Sequence, residues 1–423
     1  MRGTRRELIF GAGAALVGAA RGARAEDHPL ASFDREMERF MQERGVPGGS
    51  LAVVKDGRLV YARGYGWADR EKREPVQPDS LFRIASISKP VTGAAVMKLV
   101  GEGRLNLDTR AFDLVRLPAV VPKGKSADPR VRSVTVRQLL HHTGGWDRDK
   151  SYDPMFRALQ IAREVGVEAP AGADAVIRYM LGQPLDFDPG TRYAYSNFGY
   201  CVLGRVVEAV TRMSYEEYVR REVLAPLGIT RMRIGATRER GRAPGEVRYY
   251  MPDGEKFRSV FPDVQGAVDW PYGGFYLEAM DSHGGWIASA VDLVRFMEGV
   301  DGRRPSRVLS STTIREMYAR PAAPVWRKED GSPTDTYYGC GWSVRPVGLD
   351  GEKSGRANYW HMGSLPGTNT LLVRRWDGLT WAALFNLRSR DEKLPDSAID
   401  GALHRAAADV TEWPSKDLFP RFR

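Results

Sequence analysis

Phe82-Arg83-Ile84-Ala85-Ser86-Ile87-Ser88-Lys89-Pro90-Val91-Thr92-Gly93 is the stretch on which the reading of this sequence turns. A serine alone is a poor nucleophile at neutral pH and needs an adjacent base. Ser86 has a lysine three residues on, and in a helical turn those two side chains fall on one side, within hydrogen-bond reach. A lysine buried at the mouth of a cleft loses its proton readily and becomes a base. The start of a helix also leaves backbone N–H groups unsatisfied near a reacting carbonyl. Pro90 suits that place, since the first turn tolerates a missing N–H. The bare tetrapeptide S-x-x-K arises about once or twice by chance in a chain of this length. The residues around it therefore carry the weight.

Outward from this stretch, Val91, Ala94, Ala95, Leu99 and Val100 continue as a largely apolar helix that ends at Gly101 or Gly103. Before it, residues 30–44 read as a short amphipathic helix. Ser50–Val54 and Arg58–Gly64 are apolar, β-branched runs joined by Lys55-Asp56-Gly57, a hairpin signal. Helical and irregular segments follow to about residue 280, among them Thr135–His141 and the amphipathic stretch Tyr200–Glu222. Strands return at Cys340–Val344, Asn358–Met362, Thr370–Arg375 and Thr380–Asn386, the last two joined through Trp376-Asp377-Gly378. A final helix is expected over Asp396–Asp409. Strands at both ends with helices between predict an α+β fold: one antiparallel sheet built from both chain ends, flanked by helices, with a mostly helical inserted lobe. The seam between the lobes is the natural place for a cleft.

Three further segments stand in order behind the first. They are Tyr193-Ala194-Tyr195-Ser196-Asn197-Phe198-Gly199-Tyr200, Gln138-Leu139-Leu140-His141-His142-Thr143-Gly144-Gly145, and His361-Met362-Gly363. Together with the Ser86 segment they resemble the serine β-lactamases and penicillin-binding proteins, in the class C-like branch that includes DD-peptidases, D-aminopeptidases and esterases. The resemblance runs from about residue 31 to 390. It implies a β-lactamase/transpeptidase-like catalytic domain over 26–423, with a sheet lobe at about 31–84 and 285–411 and a helical lobe at about 85–284. It implies that Ser86 attacks an ester or amide carbonyl and forms an acyl-enzyme, and that Lys89 takes the proton with help from Tyr195. Tyr195, as phenol or phenolate, would protonate the leaving group and later activate water. Asn197 would hold Lys89 and the substrate amide. His361, Gly363 and Ser364 would line the substrate cleft, and the backbone N–H groups of Ser86 and Ser364 would form the oxyanion hole. Standing alone, Tyr195 would read as a packed aromatic and Asn197 as a turn residue.

The sequence departs from the β-lactamase pattern at His361, where lysine is usual. A lysine there faces the substrate carboxylate with a fixed charge. A histidine is mostly neutral near pH 7 and a shorter, weaker partner. This favours esterase-like or peptidase-like substrates, with weak lactamase activity at best. Neither S-D-N nor G-x-S-x-G occurs. His141 and His142, beside a glycine-terminated helix end, read as structural, and so does His283. Trp270, Tyr272, Phe275 and Tyr276 are open to two readings: they line an acyl pocket, or they pack a lobe. The rival to turnover is a penicillin-binding or sensor module that acylates without release.

Composition supports an ordinary globular enzyme. The chain has 423 residues, 42% hydrophobic and 27% charged, with no Pro/Ser-rich linker. Its formal charge of +10 carries no Lys/Arg block interleaved with aromatics, so no nucleic-acid partner is expected. Six His and two Cys show neither H-E-x-x-H nor C-x-x-C, so no metal and no cofactor are expected. Cys201 and Cys340 each sit in an apolar run and read as free buried thiols. Thr4-Arg5-Arg6-Glu7-Leu8-Ile9, the apolar run Leu8–Ala20 and Ala23-Arg24-Ala25 read as an export signal of the twin-arginine kind, too short and glycine-rich to span a bilayer. The expected location is periplasmic or secreted. Cleavage after Ala25 removes five Arg and one Glu and takes the charge from +10 to +6. Intact-mass measurement on protein from cell envelopes checks this: a mature N-terminus at Glu26 is expected, and an N-terminus at Met1 contradicts it.

Overall fold

The computed structural model describes residues 28–422 apart from positions 253, 349, 390 and 392. The expected export signal, residues 1–25, lies outside the described residues. Helix α1 (Ala31–Arg44) leads into strands β1 (Gly48–Lys55) and β2 (Arg58–Asp69). The turn between them places Asp56 and Gly57 at φ 49° and 76°. A tight hairpin needs positive φ at both positions, which is why Asp-Gly stands there. A matching hairpin joins Thr368–Arg374 to Leu379–Phe385 through Gly378 at φ 91°.

These two hairpins meet in the centre of one antiparallel eight-stranded sheet. Its order is β3 (Glu74–Pro75), β2, β1, Leu379–Phe385, Thr368–Arg374, Ala357–Leu365, Ser343–Pro346 and Tyr337–Tyr338. Val53 lies opposite Trp381 and Leu51 opposite Ala383. Alternate side chains face two separate cores. Leu51, Val53, Val373 and Trp381 pack against α1 and the C-terminal helix Ala398–Ala408, with Phe33 and Leu403. Ala52, Val54, Leu372 and Leu384 join the larger core around the central helices. Covered on both faces, β1 and Leu379–Phe385 carry apolar residues at most positions of both faces.

Helix α2 (Ser88–Gly101) is the axis of the larger core, with every residue from Ser88 to Met97 buried. A helix apolar all round is one enclosed on all sides. Of the strand expected over Cys340–Val344, Cys340 and Gly341 turn instead onto α2: a Cβ at Gly93 would come within 2.4 Å of the Cys340 carbonyl, and Gly341 sits at φ 92°. The strand therefore begins only at Ser343. Tyr200–Glu222 is likewise not one helix. Asn197–Thr211 ends at Arg212, φ 62°, and a new helical segment starts at Tyr215. A second, three-stranded sheet pairs β4 (Phe82–Arg83) with Trp286–Ala288, and that strand with Arg233–Ile234. Its strands are too short to register as periodic runs. Cys201 and Cys340 are both buried and unpaired.

The outer edge of the larger core is tied by one buried ion pair. Arg374 Nε donates to Asp301 Oδ2 at 2.9 Å, and both side chains are almost wholly enclosed. Removing one partner of such a pair strands the other charge away from water, at a cost of about 3–5 kcal/mol. Arg374→Leu is expected to lower the unfolding free energy, measured in urea, by that amount. A change under about 1 kcal/mol would show the pair to be solvated.

Candidate active site

Strand β4 delivers the chain to the cleft, and its last residue is anchored. The Arg83 guanidinium is buried, donating from Nη1 to the Pro271 carbonyl at 2.7 Å and from Nη2 to that of Ala236 at 2.8 Å. It also lies over the Tyr249 ring, 4.4 Å from its centre, with Tyr272 and Phe275 close by. These aromatics thus pack around Arg83; they do not line the cleft. Beyond the anchor, Ala85 adopts φ 47°, a left-handed conformation that costs a residue with a side chain on the order of 1 kcal/mol. A single 3-10 turn, Ala85–Ile87, then runs into α2. Gly363 presses against this bend. A Cβ there would come within 2.2 Å of the Ile84 carbonyl, which also accepts from Thr370 Oγ1 at 3.0 Å. Gly363, expected in the substrate cleft, backs onto the bend and does not line the cavity.

The bend sets Ser86 at the cavity surface and Lys89 one turn behind it. Lys89 has no exposed surface. Its Nζ contacts three oxygens: Ser86 Oγ at 3.2 Å, Asn197 Oδ1 at 2.7 Å and the His283 carbonyl at 3.0 Å. None is a carboxylate. Burial therefore drives the Lys89 amine well below its ordinary pKa, against a smaller upward pull from Asp153.

Tyr195 and Asn197 enter from the start of the helix Asn197–Thr211, whose N-cap is Ser196: its Oγ accepts from the Gly199 N–H. The Ser196 N–H donates to His142 Nδ1 at 3.1 Å, so His142 fixes the backbone between the two residues. The Tyr195 hydroxyl hydrogen-bonds Ser86, and its ring centre lies 4.6 Å from Lys89 Nζ. Desolvation pushes the Tyr195 phenol up, outweighing the Ser86 hydrogen bond that pulls it down. That direction favours the phenol over the phenolate. Asn197 Nδ2 donates to Asp153 Oδ2 at 2.6 Å.

His361 is kept neutral by burial, and its hydrogen bonds fix the tautomer. Its Nδ1 lies 2.7 Å from the Met362 carbonyl, an acceptor only, so Nδ1 carries the proton. Nε2 then accepts from the Tyr338 hydroxyl at 2.9 Å. Burial takes the ring down to about 3. Ser364 lines the cleft, and its Oγ accepts from Arg388 at 3.2 Å. The cavity encloses about 460 Å³. Phe156, Met280, Trp360 and Leu365 give it an apolar wall, and Arg148 stands over Tyr195, 4.7 Å from the ring centre.

The cleft thus brings together Ser86, Lys89, Tyr195, Asn197, His361 and Ser364. Sequence reasoning missed Arg148, Asp153, Tyr338 and Arg388. Each is a single residue in a loop or short strand, and no spacing rule marks it. Among the described residues no group of three or more His, Cys, Asp or Glu side chains is placed to hold a metal ion, and no helix is long and apolar enough to cross a membrane.

This geometry can be set beside known proteins. A family model described as Beta-lactamase matches residues 33–404, and the chain belongs to that family. Its relatives include "Probable fimbrial assembly protein FimD, serogroup H1" of Dichelobacter nodosus, 30% identical over 286 residues, covering 64% of this chain and 61% of that protein. The match thus spans less than two thirds of that relative's length. The octameric penicillin-binding protein homologue of Pyrococcus abyssi has the same fold, with a TM-score of 0.66 at 26% identity over 92% of this chain and 79% of that one. EstCE1, a hydrolase with promiscuous acyltransferase activity, aligns with a TM-score of 0.67 at 19% identity over 90% of this chain and 99% of that one.

Four buried neutral histidines make the native state acid-sensitive. Burial lowers His141 to about 4 and His361 to about 3, and lowers His142 and His283 further below their ordinary value. In the unfolded chain each titrates near ~6.5. Below that value the unfolded chain takes up protons the native protein refuses, so stability falls as pH drops from about 6.5 toward about 4. The urea midpoint is expected to fall steeply between pH 7 and 5, and a flat midpoint over that range would contradict the neutral assignment.

Proposed function

We propose that this protein is a serine hydrolase that cleaves small esters and amides through an acyl-enzyme on Ser86, acting outside the cytoplasm. The observation that carries the reading is the Lys89 amine, wholly buried, driven toward its neutral form and 3.2 Å from Ser86 Oγ. A neutral amine donates two N–H bonds and keeps one electron pair. The Asn197 and His283 oxygens can only accept, so they take the two N–H groups, and the pair faces the Ser86 hydroxyl.

In the proposed sequence, Ser86 Oγ bonds to the substrate carbonyl carbon as its proton passes to Lys89 Nζ. The carbonyl electrons move to oxygen, which the backbone N–H groups of Ser86 and Ser364 receive. The intermediate collapses, the ester or amide bond breaks, and the Tyr195 hydroxyl gives the leaving group its proton. Lys89 restores the proton of Tyr195. Water then attacks the acyl-serine along the same proton path in reverse and frees the acid. His361, neutral and hydrogen-bonded on both nitrogens, orients Tyr338 and the strand beneath the substrate. It offers no cation where a lactamase carries lysine, which supports esters over lactams. The intact Ser86, Lys89 and Tyr195 favour turnover over a module that only acylates.

Ser86→Ala is expected to reduce hydrolysis of p-nitrophenyl butyrate to the background rate with the fold retained. The native enzyme should turn this ester over much faster than nitrocefin. kcat/KM should climb from about pH 6 as Lys89 loses its proton, with no inflection from His361 near ~6.5. A burst of one product equivalent with no steady state would favour the acylating module. Nitrocefin turnover equal to that of the ester would overturn the substrate class.

A further inference from the structure

The carboxamide of Asn197 has two chemically different ends, and which one faces Lys89 decides what Lys89 can do. With Oδ1 toward Lys89 the amide accepts an N–H and leaves the lysine electron pair for Ser86. Turned over, Asn197 would present its NH₂ group, compete for that pair and aim it away from the serine. Neither Lys89 nor Ser86 selects the productive orientation, since an amine can donate or accept.

Asp153 does select it. The 2.6 Å contact of Asn197 Nδ2 is to Asp153 Oδ2, and a carboxylate oxygen accepts only. Asp153 is itself held in place, since its Oδ1 accepts from the Met155 N–H at 3.1 Å and caps the short turn Pro154–Phe156. Asp153 does not line the cavity. We propose that Asp153 is a positioning residue for the reaction: through Asn197 it fixes the direction of the Lys89 electron pair toward Ser86. This rests on the acyl-serine reading and deepens it.

Asp153 also forms half of a charge pair acting on Lys89. The groups facing that amine are Ser86 on its own turn, Asn197, the rings of Tyr195 and Tyr200, and the His283 carbonyl. His142, His283 and His361 stand near and are neutral by burial. Two charges remain, both from the loop after Trp146: Asp153 raises the lysine and Arg148 lowers it. The opposed signs separate a positioning role from loose damage to the loop.

The test uses the full chain and a fluorophosphonate probe, which phosphonylates the active serine as fluoride departs and needs no turnover. The labelling rate is followed by intact-protein mass spectrometry from pH 5 to 10. Asp153→Asn keeps the turn cap, since Asn is as good a cap as Asp. Its plateau rate is expected to fall about tenfold, as orientation is no longer imposed. Its acid limb should move down by on the order of half a pH unit, because a negative charge has left the lysine. Arg148→Gln should move the limb up by a similar amount, opposite in sign to Asp153→Asn. Asp153→Glu, with the acceptor restored, should recover part of the plateau. Ser86→Ala labelled as fast as wild type would overturn the acyl-serine reading itself. Ser86→Ala unlabelled, with Asp153→Asn unchanged in plateau and limb, would overturn this inference alone. Limbs that move the same way in Asp153→Asn and Arg148→Gln would also overturn it, as would a loss confined to KM for substrates bearing a free amino group.

Discussion

An amine with no exposed surface and no carboxylate in contact is the constraint around which the rest of the molecule is arranged. Water would hold Lys89 as an ammonium; its enclosure disfavours that form. To keep water out, α2 has to be covered on every side. The helix Ser311–Tyr318 covers one side, the helix Asn197–Thr211 and the segment Val219–Leu224 another, and the folded-in Cys340–Gly341 segment a third. Gly93 permits that last approach, because any side chain there would meet the Cys340 carbonyl. The strain at Ala85 belongs to the same arrangement. The chain must leave β4 and enter α2 within one turn so that Ser86 stays at the surface while Lys89 does not.

Much of this was legible beforehand, and the reasons differ by element. Both hairpins announce themselves through an Asp-Gly pair between apolar runs, a local rule with a backbone cause. Ser86, Lys89, Tyr195, Asn197 and His361 fall in short segments whose order resembles a known family, and the cleft gathers them. What stayed hidden depends on through-space neighbours. Tyr272 and Phe275 were ambiguous because nothing local says that Arg83, far off in sequence, is the group they flank, while Trp270 packs on Phe257 and Tyr276 on Phe261. The strand expected at Cys340 starts later because α2 claims that backbone first. Asp153 and Arg148 lie in a loop without period or motif, and their meaning comes only from facing Asn197 and Tyr195. Gly363 belongs to a recognisable motif, yet its use is to let a strand touch the Ile84 carbonyl.

The charges of the cleft divide by whether pH can change them. The histidines are held neutral by burial, and at His361 burial and the nearby Lys89 outweigh the Met362 carbonyl, which favours the charged ring. The positive charge at the rim sits on Arg148 and Arg388.

The two central strands come from opposite ends of the sequence: β1 pairs along its length with Leu379–Phe385. Such a pairing is the most non-local contact a chain can make, and closing so long a loop is slow. During synthesis β1 and β2 emerge early as a hairpin with both faces apolar and one long edge open. The partner for that edge emerges only after every residue between Lys55 and Leu379 has been made. The intervening segments, from α2 to Ala290–Val300, have time to collapse on themselves first, while the hairpin remains adhesive. The molecule's vulnerability in a cell is thus one of timing. A holding chaperone that covers the first hairpin until the last one arrives would do more for its yield than any added stability of the finished protein.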